Sequence, residues 1–388
     1  MTRETIRMRT FMTVLLLALL SAFASPVAWA QKEPAASGSL EGGLLRVVER
    51  HFAQWDRDQN GVLDLSEVDH QIENHFVRGY HAAMIVALRD HLTKQENHAG
   101  LSHEELLKLV KEHGFAKSVG QAGSRLKAID CELFLPTDPD LETFSQGRVG
   151  DCYLLSAIAA QAHRSPDAIR QMIHPEVTGG FQVVFGDGQK IEIPALTECE
   201  LLLGAKLDQR HGSWLAVLEK SYGTIRRRDR AKKSQDQSGA AAKIVPYDTL
   251  NTGNPAVIIA LLTGRRGECL RLDQGATLEQ VHELLRDETA NKRLVCASKN
   301  KEKGPPGIVC KHAYAVFGYD AQQRQVHLFN PWGNEFSPKG PAGIANGYPT
   351  RHGQFTMPLD EFYRVFYRVE YETDRPIRST NRDLRRES

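Results

Sequence analysis

Apolar residues recur along this chain with three different spacings, and each predicts a different kind of element. Residues 11–24 are almost wholly apolar, whereas Leu44, Leu45, Val48, Phe52 and Trp55 return every three or four positions. The second spacing puts one face of a helix into a core. Strong helix formers without a breaker run from Tyr153 to Ala162, ahead of Pro166, and predict a helix that opens at Cys152. Another is expected around Trp214, and Thr277-Leu278-Glu279-Gln280 is a capping box for one reaching about residue 288. Strict alternation from His312 to Tyr319 predicts a strand, residues 327–330 end the next, and 320–324 form the turn between them. Further strands are expected at 294–298 and 368–372, and a hairpin at 181–185 and 190–193 turns on Gly186-Asp187-Gly188. The surroundings of Cys152 thus read as helical and those of His312 as β-rich, an α+β chain.

The apolar run changes meaning with its flanks. Arg3, Arg7 and Arg9 precede it, and Ala28-Trp29-Ala30 followed by Gln31 is a small-x-small cleavage site. These are the three parts of a secretory signal peptide over 1–30, which implies a secreted or periplasmic protein with no membrane attachment after cleavage. An uncleaved anchor is the alternative, but the run is short for a span of about 20 residues. With 49 basic and 48 acidic residues the net charge is +1, without the basic excess of a nucleic-acid binder. The basic run from Arg226 to Lys233 has no interleaved aromatic for base stacking and is read as a solvated loop. The cysteines are Cys131, Cys152, Cys199, Cys269, Cys296 and Cys310. If Cys152 is a free thiol, an odd number remains, so no disulfide framework is expected.

Behind the small, polar linker 31–40 and the first amphipathic helix comes Asp56-Arg57-Asp58-Gln59-Asn60-Gly61-Val62-Leu63-Asp64-Leu65-Ser66-Glu67. Asp56, Asp58 and Asn60 alternate, Gly61 permits a sharp turn, Val62 offers a carbonyl, Asp64 follows and Glu67 closes the loop with two oxygens. Calcium takes six to eight oxygens, and this spacing wraps them round one point, as in an EF-hand. Residues 94–105 have the same length and final glutamate, but Lys94 replaces the first carboxylate, so this second loop is expected to pair without binding metal. The pair would occupy 41–113, with helices from 66 to 92 and from 104 to 113, followed by a loop-rich connection over 114–140.

Cys152 follows a glycine-rich turn at a helix start, where unpaired N–H groups and the helix dipole favour a thiolate. His312 and Asn330 lie on neighbouring predicted strands. Nucleophile, general base and acid, and imidazole-orienting amide are the parts of a thiol protease. Gln146 is a candidate oxyanion donor, and Trp332 a cover that keeps water from the His–Asn hydrogen bond.

Gln146-Gly147-x-x-Gly150-Asp151-Cys152-Tyr153-Leu154-Leu155, His312-Ala313-Tyr314-Ala315-Val316 and Asn330-Pro331-Trp332-Gly333, in this order, resemble the catalytic core of the calpains. The stretches 214–222 and 354–362 resemble it too, and Tyr153 stands where most calpains have Trp. The resemblance covers 141–373 and implies a papain-like, two-lobed core, with halves of about 141–264 and 267–373 and a polar tail over 374–388. It implies a calcium-dependent cysteine endopeptidase acting on proteins or peptides, with a glycine-bearing hinge at 264–267 and activating calcium bound in the core itself. The alternatives are an inactive calcium-binding adaptor and a transglutaminase-type acyl transferase; Asn330 and Gln146 favour peptide hydrolysis. Some 80 residues separate the acidic loop from Gln146, so calcium in that loop is expected to leave the cleft untouched.

Overall fold

The computed structural model describes residues 39–94, 100–139, 141, 144–177, 179–207, 210–234, 244–300 and 302–377. The expected signal peptide, residues 31–38 of the linker, 95–99 of the second loop and 378–388 of the tail lie outside the described residues. The chain divides after Gly43, and the contacts described below belong to the unit from Leu44 onward. None of the described helices is long and apolar enough to cross a membrane.

The amphipathic pattern at 44–55 becomes the helix Leu40–Trp55, which buries Leu44, Val48, Phe52 and Trp55. Strand β1, Val62–Leu63, pairs antiparallel with β2, Leu101–Ser102, so the segments ending the two expected loops meet as a two-stranded ribbon. Asp64 with Glu67, and Ser102 with Glu105, form capping boxes that start the helices Leu65–Ile72 and His103–Lys111. Between them Gly79–Lys94 is buried along most of its length.

The segment expected as a loop-rich connection instead begins with the helix His113–Ala128. Phe115, Val119 and Gly123 are its buried positions, spaced by four, and the ring of Tyr80 fills the place where a side chain at 123 would stand. Glu112, extended at the end of His103–Lys111, separates the two helices. The basic run 226–233 is likewise no loop: it continues the helix Trp214–Ser234, whose apolar first half is buried. Solvated charge is compatible with a helix when the preceding turns are anchored.

Beyond lie two sheets. Strands β3 (Ile173–Pro175), β4 (Phe181–Val184) and β5 (Lys190–Ile193) form a small antiparallel sheet that contains the expected hairpin. Strands β6 (Arg265–Arg271), β7 (Val295–Lys299), β8 (His312–Asp320), β9 (Gln325–Phe329), β10 (Gln354–Pro358) and β11 (Arg368–Pro376) form a six-stranded sheet in the order β10-β9-β8-β7-β11-β6. Leu285 and Val281 of the helix Leu278–Ala290 join Tyr314, Leu328, Met357 and Phe362 in a closed apolar cluster on this sheet. Each such side chain contributes roughly 1.5–3 kcal/mol through burial. The expected hinge residues run from Gly264, which ends the helix Pro255–Thr263 in the left-handed region, into β6. The chain is a mixed helix-and-sheet protein, as its two periodicities predict.

Candidate active site

Cys152 is the first residue of the helix Cys152–Arg164, and Asp151 caps it without a side-chain hydrogen bond to the helix. Residues 153–162 are all buried, because this helix is pressed between Pro255–Thr263 and strands β7 and β8. The half-buried thiol therefore sits against the start of β8, where the backbone N–H of Ala313 donates to its sulfur. The turn before it has little freedom. A side chain at Gly147 would put its Cβ 1.8 Å from the carbonyl oxygen of Gly204, so only glycine permits this approach.

His312 opens β8 and Asn330 follows the last residue of β9. His312 Nε2 and Asn330 Oδ1 are 2.7 Å apart and both residues are buried. Nδ1 is thereby the ring nitrogen left for the thiol. Asn330 Oδ1 also accepts the Trp332 backbone N–H at 3.0 Å, and its Nδ2 donates to Asn334 Oδ1 at 2.8 Å. The amide is thus fixed at both ends. Trp332 is 45% exposed and its ring lies edge-on to His312 with centroids 5.1 Å apart. Two bonds tie this turn to the cysteine segment: Gln146 N–H donates to the Pro331 carbonyl at 2.7 Å, and Ser145 Oγ to that of Trp332 at 3.1 Å.

Burial pushes the Cys152 thiol above its ordinary range, an effect only partly offset by the N–H groups of Ala313, Tyr153 and Cys152. Burial likewise lowers His312 to about 4, against the raising effect of Asn330. Each group alone thus favours its neutral form, which differs from the resting thiolate expected from the helix dipole. An ion pair here requires the proton to pass from one to the other, so that the two charges compensate. Gln146 is buried; its Nε2 donates to the Val149 carbonyl at 2.7 Å and its Oε1 has no partner. The same side-chain amide lies within hydrogen-bonding reach of the Asp151 carboxyl.

The sequence matches the family described as calpain family cysteine protease over residues 123–342. That is more than half of the chain, and it includes Gln146, Cys152, His312, Asn330 and Trp332. The chain belongs to the calpain family of cysteine proteases. Comparison with curated proteins finds no match. The family makes the protein a cysteine peptidase, a hydrolase whose substrates are proteins or peptides.

The acidic loop lies upstream of the calpain match, and its geometry is that of an oxygen cage. Oxygens of Asp56, Asp58 and Glu67 all lie within 4.8 Å of one another. Asp56 accepts the N–H groups of Asn60 at 3.1 Å and Gly61 at 2.9 Å. Glu67 accepts those of Arg57 at 2.6 Å and Asp64 at 3.1 Å. Gly61 holds φ at +80°, which turns the loop back on itself. Asn60 Oδ1 is taken by the Val62 N–H at 2.7 Å, and Asp64 Oδ1 caps the next helix at 2.9 Å from Glu67 N. No ion pair joins these acids to a cation among the described residues. The donors are all hard oxygens, which fits calcium.

Distance in sequence misleads about this loop. Arg89, on Gly79–Lys94, reaches Asp69 on the helix after the loop at 2.6 Å and Asp248 of the calpain domain at 2.5 Å. Its neighbour Asp90 pairs with Arg148, four residues before Cys152, at 2.9 Å. Asn251 in turn accepts the Gly150 N–H at 3.0 Å. The helix Gly79–Lys94 thus links the helix after the acidic loop, through Arg89, with the segment that carries the cysteine, through Asp90. Of the bracing residues, Asn334 follows directly on the Asn-Pro-Trp-Gly block and had a local signal; Asn251 and Asp248 had none.

Proposed function

We propose that the protein is a secreted, calcium-binding endopeptidase that hydrolyses peptide bonds with Cys152, His312 and Asn330. The observation that carries this is the 2.7 Å bond from His312 Nε2 to Asn330 Oδ1, with the Cys152 helix seated on the same strand. His312 Nδ1 takes the thiol proton as the sulfur attacks the substrate carbonyl carbon, forming the C–S bond and moving the π electrons to oxygen. That oxygen is held by the Cys152 N–H and the side-chain amide of Gln146. As the carbonyl re-forms, the C–N bond breaks and His312 protonates the departing amine. His312 then takes a proton from water, whose oxygen displaces the thiolate. Asn330 keeps the ring oriented, and Trp332 shelters that bond.

The proposed layout is a signal peptide over 1–30, a linker over 31–40, an EF-hand pair over 41–113, and a papain-like core over 141–373 whose helical and β-rich halves face each other across the cleft. Asp56, Asp58, Asn60, Asp64 and Glu67, with the Val62 carbonyl, would hold Ca2+. The ion supplies positive charge that lets these oxygens crowd together. The test is casein hydrolysis by the mature chain with and without calcium, beside the Cys152→Ala variant. Cys152→Ala is expected to fall below roughly a thousandth of wild-type activity. Survival of activity, or no labelling of Cys152 by a thiol-directed inhibitor, rejects the assignment. N-terminal sequencing of exported protein tests cleavage before Gln31.

A further inference from the structure

Behind Cys152 the fold contains a second acidic constellation that the peptidase mechanism does not use. Asp151 and Glu219, the latter on Trp214–Ser234, are both completely buried, and their carboxyl groups are within hydrogen-bonding reach of each other. Apart from Glu219, the groups that reach the Asp151 carboxyl are the Gln146 side-chain amide and its own backbone N–H. Two touching carboxylates that are both ionised and completely buried are not a stable arrangement in a protein interior. One proton held between them removes the conflict.

Glu219 is also tied to the backbone. Both its oxygens accept the Ala205 N–H, at 2.9 and 3.1 Å. Ala205 lies between Gly204, which packs on Gly147, and Lys206, whose N–H donates to the Ser145 carbonyl at 2.8 Å. The 204–206 backbone is thus the bed on which 145–147, and with it Gln146, rests. Glu219 touches that bed on one side and, on the other, the residue that immediately precedes Cys152. We propose that Glu219, in its neutral form, is a positioning residue of the protease reaction: it donates its proton to Asp151 and so fixes Cys152 relative to Gln146.

Burial raises Asp151 to about 6 and Glu219 well above the carboxylate range, which agrees with one retained proton. The titratable groups that face the pair are Cys152 and Tyr153 of the cysteine helix and Tyr247, whose buried hydroxyl makes no hydrogen bond. Lys220, next in sequence, points instead to Glu200 at 2.7 Å.

The inference rests on Cys152 as nucleophile, and its test separates the two. Glu219→Gln can still donate to Asp151 and accept from Ala205, whereas Glu219→Ala can do neither. Glu219→Gln is expected to keep kcat within about threefold of wild type, and Glu219→Ala to lose roughly thirtyfold or more with KM within about twofold. The alkaline limb of kcat/KM is expected to move to higher pH in Glu219→Gln, which has no shared proton to lose. Full activity in Glu219→Ala overturns the proposal, as does a folded Glu219→Gln that is as impaired as Glu219→Ala. If Glu219→Ala does not fold, Glu219→Gln decides alone: retained activity with a shifted limb supports the proposal, and an unmoved limb overturns it. Infrared difference spectra at neutral pH read the proton without catalysis. One carbonyl band of a neutral buried carboxyl present in wild type is expected to be lost in Glu219→Gln, even if Cys152→Ala shows that the nucleophile lies elsewhere; no such loss overturns the neutral form.

Discussion

Two clusters of carboxylates, one in the loop Asp56–Glu67 and one between Asp151 of the cysteine segment and Glu219, handle repulsion in opposite ways. In the Asp56–Glu67 loop, Asp58 is exposed, the acids are ringed by backbone N–H groups, and three carboxylates converge on one point. In the Asp151–Glu219 pair nothing reaches solvent and only two carboxyls meet. Many converging oxygens with access to water invite a hard cation; two oxygen pairs sealed from water retain a proton. The difference teaches that acidic clusters are told apart by oxygen count and access rather than by charge.

The largest effect that separates the two concerns metal. Glu67→Gln is expected to weaken calcium binding at the loop on the order of 100-fold or more, since a two-oxygen ligand becomes a neutral one-oxygen ligand. Glu219→Gln is expected to leave calcium stoichiometry and affinity unaltered. Titration calorimetry on both variants decides. A calcium lost from Glu219→Gln would make the buried pair a metal site and dissolve the contrast.

The buried pair also predicts a pH dependence of stability. Asp151 at about 6, and Glu370, which burial raises to about 7 against Arg368, sit above their unfolded values. Groups raised in this way stabilise the fold fully below the unfolded carboxylate range, and that contribution is lost as pH rises through 6 and 7. Calcium-free protein is therefore expected to lose on the order of 3 kcal/mol between pH 5 and 8 in urea melts. A calcium-free stability that is flat or rising from pH 5 to 8 would show that the buried acids are already ionised.

How much of this was legible in the sequence follows from what each feature depends on. The β8 alternation, the Thr277 capping box and the spacing of Asp56 to Glu67 are local patterns, and the elements appear where these put them. The helix His113–Ala128 was hidden by Gly114, Gly120 and Gly123, which read as loop; Gly123 is there for the Tyr80 ring. The helix over 226–233 is not legible in the charge density of that run, because it depends on the anchoring of the preceding turns. His312 and Asn330 could be paired from the short turn between their strands, and the structure brings them together. Glu219 and Asp151 could not, because residues 68 positions apart become partners only through helix packing.

A smaller effect is expected where the two sides are joined. Arg89 is 11% exposed and serves Asp69 and Asp248 together, so Arg89→Met leaves two partly buried acids unpaired. A loss of about 2–3 kcal/mol in urea unfolding is expected. Burial already raises Asp69 to about 6 despite Arg89, so part of this loss should be recovered at low pH, where the acid can protonate.

The smallest effect addresses whether calcium in the loop is felt at the cysteine. The direct tie to the nucleophile segment is Asp90–Arg148, whose side chains are 28% and 55% exposed. Such a pair is worth below about 1 kcal/mol, which limits what it can transmit to less than roughly fivefold in rate. Asp90→Asn is therefore expected to lower kcat by about twofold, and Glu67→Gln by no more than fivefold at saturating calcium. If the loop acts through this pair, the double variant should be no worse than the poorer single one; if it acts elsewhere, the two losses multiply. A Glu67→Gln loss far beyond fivefold that calcium cannot restore would mean that the loop governs the cleft by reshaping the Gly79–Lys94 helix as a whole. The two carboxylate clusters would then be parts of one switch rather than two separate solutions.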